Sequence, residues 1–128
     1  MTAEYHAVET VGVKATTTDA TETEIARFST QANKTYLLSG RVLGRSTTNN
    51  AGYLVAATFK NVAGTITQVG TTAAIATHED AGAWAVAFSI DAADDANDPD
   101  DLGQIILTVT GEASVTVSWL AAIDILEV

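Results

Sequence analysis

Cysteine is absent from this 128-residue chain, and proline occurs once, at Pro99. Without cysteine there is neither a disulfide framework nor a thiolate metal site. Basic residues are scarce. Six Lys and Arg stand against sixteen Asp and Glu, for a formal net charge of −10. That balance argues against nucleic-acid partners, whose phosphate backbone is held by Lys and Arg, and equally against anionic membrane surfaces. No apolar run approaches the ~20 residues of a membrane-spanning helix. Residues Met1-Thr-Ala-Glu-Tyr-His6 lack a basic segment followed by an apolar one, so a secretory signal is not expected. A soluble chain made in a cytoplasm is the expectation. Also missing is any segment with a 3.6-residue apolar period and helix caps. What is present is a chain rich in Ala and Thr, 47% hydrophobic and only 17% charged. Such a surface suits contacts better than free tumbling, and the length suits one domain, residues 1–128, with one core.

Period-two alternation runs through most of the sequence. Trp84, Val86, Phe88 and Ile90 face one way, and Ala85, Ala87, Ser89 and Asp91 the other. Ile105, Leu107 and Val109 predict the inward side of a strand over 104–110. Lys34 to Arg45 is rich in residues that favour extended structure. Tyr53, Val55, Ala57 and Phe59 share one side of a strand over 53–60, and Asn61 to Gly64 turns it into a hairpin with 65–69. Weaker strands are read at 4–14, 25–28 and 73–77. Residues 16–23 read as a polar loop, and Ser46 to Gly52 as a turn with Asn49, Asn50 and Gly52. Eight or nine short strands with such spacing predict an all-β fold, a single antiparallel β-sandwich of jelly-roll type.

The last predicted strand, Ser114 to Val128, changes character along its length. Val115, Val117, Trp119, Ala121, Ile123 and Ile125 share one side. The other side begins polar with Thr116 and Ser118, then continues Leu120, Ala122, Asp124, Leu126 and Val128. A strand that is apolar on both sides needs two covers. These last five residues are therefore the predicted subunit interface. Asp124 is the discordant member: either it meets an Arg or Lys from a neighbouring copy, or the interface lies on another surface.

Chemistry-bearing constellations are few. The two histidines, His6 and His78, belong to no nucleophile–base arrangement, and His78 beside Glu79 and Asp80 is not a triad. It reads as part of a solvated loop. His-Glu-Asp-Ala-Gly is not a zinc motif. No enzymatic activity and no obligatory cofactor are expected. The one candidate metal site is the acidic loop Asp91–Asp101, with Asp94, Asp95, Asp98 and Asp100 as oxygen ligands for Ca²⁺. It lacks EF-hand spacing, since Pro99 falls where a ligand is needed. The alternative is a self-repelling loop that guards a sheet edge. A carbohydrate would stack on exposed aromatics. Trp84, Phe88 and Trp119 read as core, which leaves Tyr36 and Tyr53 freest to meet one.

Four segments follow one another in a suggestive order: Ala32 to Gly40, Ala51 to Gly64, Trp84 to Asp91, and Leu107 to Glu112 running on to Val117–Ala122. The succession of glycine turn, Trp strand, Thr-Gly turn and terminal Trp strand resembles a small β-sandwich domain. That domain recurs in tailed-bacteriophage virion proteins: head decorations, tail fibres and baseplate appendages. The resemblance covers about the C-terminal three-quarters of the chain and carries no catalytic residues. It implies a structural role, usually as a homotrimer. Because the domain fills nearly the whole chain from Met1, a capsid decoration (cement) protein is expected on the outer surface of the virion. Other virion proteins, the major capsid protein foremost, would be its partners, and residues 1–30 could form a docking arm. The alternative is a tail-fibre or baseplate module that binds a receptor or host glycan.

Overall fold

The structure is a computed structural model that describes residues 8–80, 84–93 and 102–128. It is all-β, with eight antiparallel strands: β1 Val8–Thr17, β2 Thr23–Ser29, β3 Lys34–Arg45, β4 Asn50–Val62, β5 Thr65–Glu79, β6 Ala85–Asp91, β7 Gln104–Thr110 and β8 Val117–Glu127. They form two sheets, a five-stranded one in the order β1-β8-β3-β4-β5 and a three-stranded one in the order β2-β7-β6. The chain ends meet in the large sheet, where β8 lies between β1 and β3, while β2 and β7 pair in the small one. This nesting of early on late strands is that of a jelly roll. From β3 to β5 the chain instead runs as a meander.

The strands form where alternation is strongest, and the core follows from it. From β3 come Leu38 and Val42, and from β4 come Val55, Ala57 and Phe59. They meet Phe88 of β6, Ile105, Leu107 and Val109 of β7, and the odd-numbered side of β8, which buries Val117, Trp119, Ala121 and Ile123. Trp84 tilts against Trp119 with ring centroids 5.6 Å apart. Room for these rings comes from β3. A Cβ on Gly44 would lie 2.7 Å from the Trp119 ring, and one on Gly40 would sit 3.5 Å from Phe88. Both indoles keep hydrogen bonds: Trp119 Nε1 donates to Thr17 Oγ1 (3.0 Å), and Trp84 Nε1 to Glu112 Oε2 (3.3 Å). Buried Asn61 ties three segments together. Its Nδ2 donates to Thr30 Oγ1 and to the Leu102 carbonyl, and its Oδ1 accepts from the Gly64 N–H.

Several boundaries differ from the sequence expectation. The β3–β4 turn closes at Ser46–Asn49, with the Ser46 N–H donating to the Asn49 carbonyl, so Asn50 to Gly52 belong to β4. The β4–β5 turn is tighter than expected. It places Ala63 and Gly64 at φ of 53° and 90°, as a two-residue hairpin turn demands. The stretches 65–69 and 73–77 are one strand. β5 stays paired with β4 through two bulges, one at Ile75 and one at Gly70–Thr72. Gly70, at φ 76°, supplies the left-handed backbone for the second. β5 is an exposed edge with no charged residue between Thr65 and Thr77, so its bulges provide the edge protection that charges provide elsewhere. Within the stretch read as a docking arm, Val8–Thr17 and Thr23–Ser29 are integral strands of the two sheets.

Candidate functional site

The described feature most suited to function is the outer face of the five-stranded sheet. In β3 the even-numbered residues point into the core, so the odd-numbered ones, Leu37 to Arg45, point out. Strand pairing lines them up with outward residues of the neighbours in rows across the sheet. One row runs Lys14, Leu120, Leu43, Gly52, His78 from β1 to β5. The next runs Gly12, Ala122, Arg41, Leu54, Ala76, and the third Thr10, Asp124, Ser39, Ala56, Ala73. A fourth contains Leu126, Leu37, Thr58 and Val69. Beyond the Leu43 row lie Ser118, Arg45 and Asn50.

This face is apolar where a free surface should be polar. Leu43 is 60% exposed, Leu126 49%, Leu120 47%, Leu37 44% and Leu54 42%. Leu43 stands proud because Gly52 beside it has no side chain; a Cβ there would touch Leu43 Cδ2 at 3.4 Å. Shallow grooves flank it. One of about 310 Å³ is bounded by Lys14, Leu43, Arg45 and Leu120, and one of about 340 Å³ by Arg41, Leu43, Leu54 and His78. Apolar floors with cations at the rim are features that docking surfaces share.

All five sequence-predicted interface residues lie at this face or its end. Leu120, Leu126 and Val128 are exposed and Ala122 is half-buried. Val128 is tied in place by paired backbone hydrogen bonds with Thr35, at 2.9 and 3.0 Å. Asp124 does not wait for a cation from another copy. Thr10 Oγ1 on β1 donates to its Oδ1 at 2.8 Å. The companions Leu37, Leu43 and Leu54, and the cations Arg41 and Arg45, were missed from sequence. The signal was present in the doublets Leu37-Leu38 and Val42-Leu43, each apolar on both sides of its strand.

The other sequence candidates fare differently. Asp94, Asp95, Asp98 and Asp100 lie outside the described residues; among those described, no group of His, Asp and Glu could hold a metal. Tyr36 and Tyr53 are not free to meet a sugar, being only 3% and 6% exposed. Burial, abetted by the Glu127 carboxylate and opposed by the Gln31 N–H, pushes the Tyr36 hydroxyl up to about 12. Tyr53 is raised further by burial and by its hydrogen bond to Glu79 Oε1 at 2.5 Å. His78 and Glu79 end β5 instead of lying in a loop, and the Asp80 carboxylate accepts from the Asn50 N–H. A cleft of about 430 Å³ opens between the β1 and β2 edges, lined by Val11, Phe28, Tyr36 and Ile125 with Arg27 and Glu127. The fold and this face together define an antiparallel β-sandwich with an exposed apolar sheet. Comparison with protein families, curated proteins and solved structures finds no match to the chain.

Proposed function

We propose that the protein is a non-enzymatic structural subunit that acts by docking through the outer face of its five-stranded sheet and assembles with copies of itself. The observation that carries this reading is five leucines on one outward face, each close to half exposed: Leu43, Leu120 and Leu54 in two adjacent rows, and Leu37 with Leu126 beyond the Asp124–Ser39–Ala56 row. Large exposed apolar side chains gathered on one face and rimmed by polar residues mark interaction sites. The resemblance to small sandwich domains of tailed-bacteriophage virions supports a finer reading: a homotrimeric capsid decoration protein on the virion surface, bound to the major capsid protein. The glycan-binding alternative loses support because Tyr36 and Tyr53 are buried.

Sedimentation velocity tests the assembly. Leu126→Asp introduces a charge at an exposed position and is expected to yield folded monomers where the wild-type chain associates. A variant that associates as the wild type does refutes the interface. A density map of a whole particle tests the finer reading, which fails if the chain is absent from the capsid surface.

A further inference from the structure

The cations of this chain are segregated. Of its six Lys and Arg, four (Lys14, Arg41, Arg45 and Lys60) stand at outward positions of the five-stranded sheet. The acids there are Asp124, bonded to Thr10, and Asp80 at the corner, bonded to Asn50. Among the described residues the face therefore carries a formal +2, on a chain whose total is −10. Among the described residues, none of the four cations has an ion-pair partner. Arg27, on the other side of the sandwich, has two: Glu24 and Asp91, each at 2.6 Å.

That other side is acidic. Outward positions of the three-stranded sheet carry Glu24, Asp91 and Arg27, and Glu22 reaches in to accept from Thr108 Oγ1 at 2.9 Å. With Glu22 counted, three described acids on this side stand against one cation, for a net of −2. The molecule thus has one apolar, basic side and one acidic side.

Charge decides between the two ways in which copies could use the leucine face. An isologous contact, face to face, would set four cations and two acids against the same set, and like charges opposed across an interface are costly. A heterologous contact sets opposite signs against each other. We propose that copies associate heterologously, the leucine–cation face of one seating on the acidic three-stranded side of the next. This rests on the self-assembly proposed above and specifies its geometry: a closed ring, such as a trimer, or an open array.

Sedimentation velocity of the full chain across a salt series tests it, with two exposed-residue variants and circular dichroism to verify their fold. Association is expected to weaken about tenfold or more between about 50 and 500 mM salt, as screening shortens the reach of charges. Arg41→Glu/Arg45→Glu and Glu22→Lys/Glu24→Lys should each sediment as monomers. Their equimolar mixture should form a heterodimer, because the intact face of the second meets the intact acidic side of the first. Association that is indifferent to salt, strengthened by it, or retained in either variant alone overturns the heterologous contact while leaving self-assembly standing. A wild-type chain that stays monomeric at every salt concentration overturns both.

Discussion

Leu43→Ser probes the centre of the proposed docking face with little risk to the fold. Leu43 is 60% exposed in the free subunit, so its removal leaves the core untouched. Exposed substitutions of this kind shift folding stability by about 0.5 kcal/mol, with up to ~1 kcal/mol more from strand propensity. Docking is another matter. Burying a whole leucine side chain is worth roughly 1.5–3 kcal/mol, so the exposed 60% has about 1–2 kcal/mol still to gain. A serine hydroxyl buried there without a partner costs a further ~1–3 kcal/mol. The sum, about 2–5 kcal/mol, corresponds to a Kd weaker by roughly 30- to 4,000-fold. The same arithmetic constrains the whole face. The exposed parts of the five leucines equal about 2.4 side chains, roughly 4–7 kcal/mol. Association itself costs ~4–15 kcal/mol, so these leucines alone sustain at most a weak contact and the partner surface must contribute as well. Sedimentation velocity reads the Kd, and a thermal melt reads the fold. A Leu43→Ser protein that melts as the wild type and associates with unchanged Kd refutes the assignment of this face. One that fails to associate but also melts many degrees lower refutes the claim that Leu43 is dispensable to the fold.

The remaining predictions concern the scaffold. Gly44→Ala places a methyl 2.7 Å from the Trp119 ring, and overpacking of this kind costs about 1–3 kcal/mol, visible as a lower Tm and altered tryptophan fluorescence; an unchanged Tm would mean that β3 and the indole move apart freely. Tyr36 and Tyr53 should resist ionisation beyond the ordinary tyrosine value of 10, Tyr36 up to about 12, in a phenolate absorbance titration. Because the folded values are raised, their contribution to stability is complete below pH 10 and is lost as pH climbs through the folded values, about 12 for Tyr36 and higher for Tyr53. Ionisation of both at the ordinary value in the folded protein would contradict their burial.

How much of this was legible in the sequence follows from what is local and what is not. Alternation is local, because successive side chains of a strand point to opposite sides wherever the strand lies. The sequence alone therefore determined that the chain is all-β, that 34–45 and 104–110 are strands, and that Val117, Trp119, Ala121 and Ile123 of β8 are buried. It also showed that the other side of β8 becomes apolar at Leu120. Neighbourhood is not local, and only the tertiary structure decided it. Inserting β8 between β1 and β3 brings Leu43 beside Leu120 and Thr10 within hydrogen-bonding reach of Asp124. Each partner lies far along the chain, so no pattern within one strand announces it. The tyrosines were misjudged for the same reason. Tyr36 and Tyr53 share alternation with core residues, and it took the second sheet and the carboxylates of Glu127 and Glu79 to fix their hydroxyls inside. Two broken patterns merged into the single strand β5 because pairing with β4 carries it through the bulges at Gly70 and Ile75. The segregation of Lys14, Arg41, Arg45 and Lys60 onto one side is also a tertiary fact, since these residues come from three strands that only the sheet aligns.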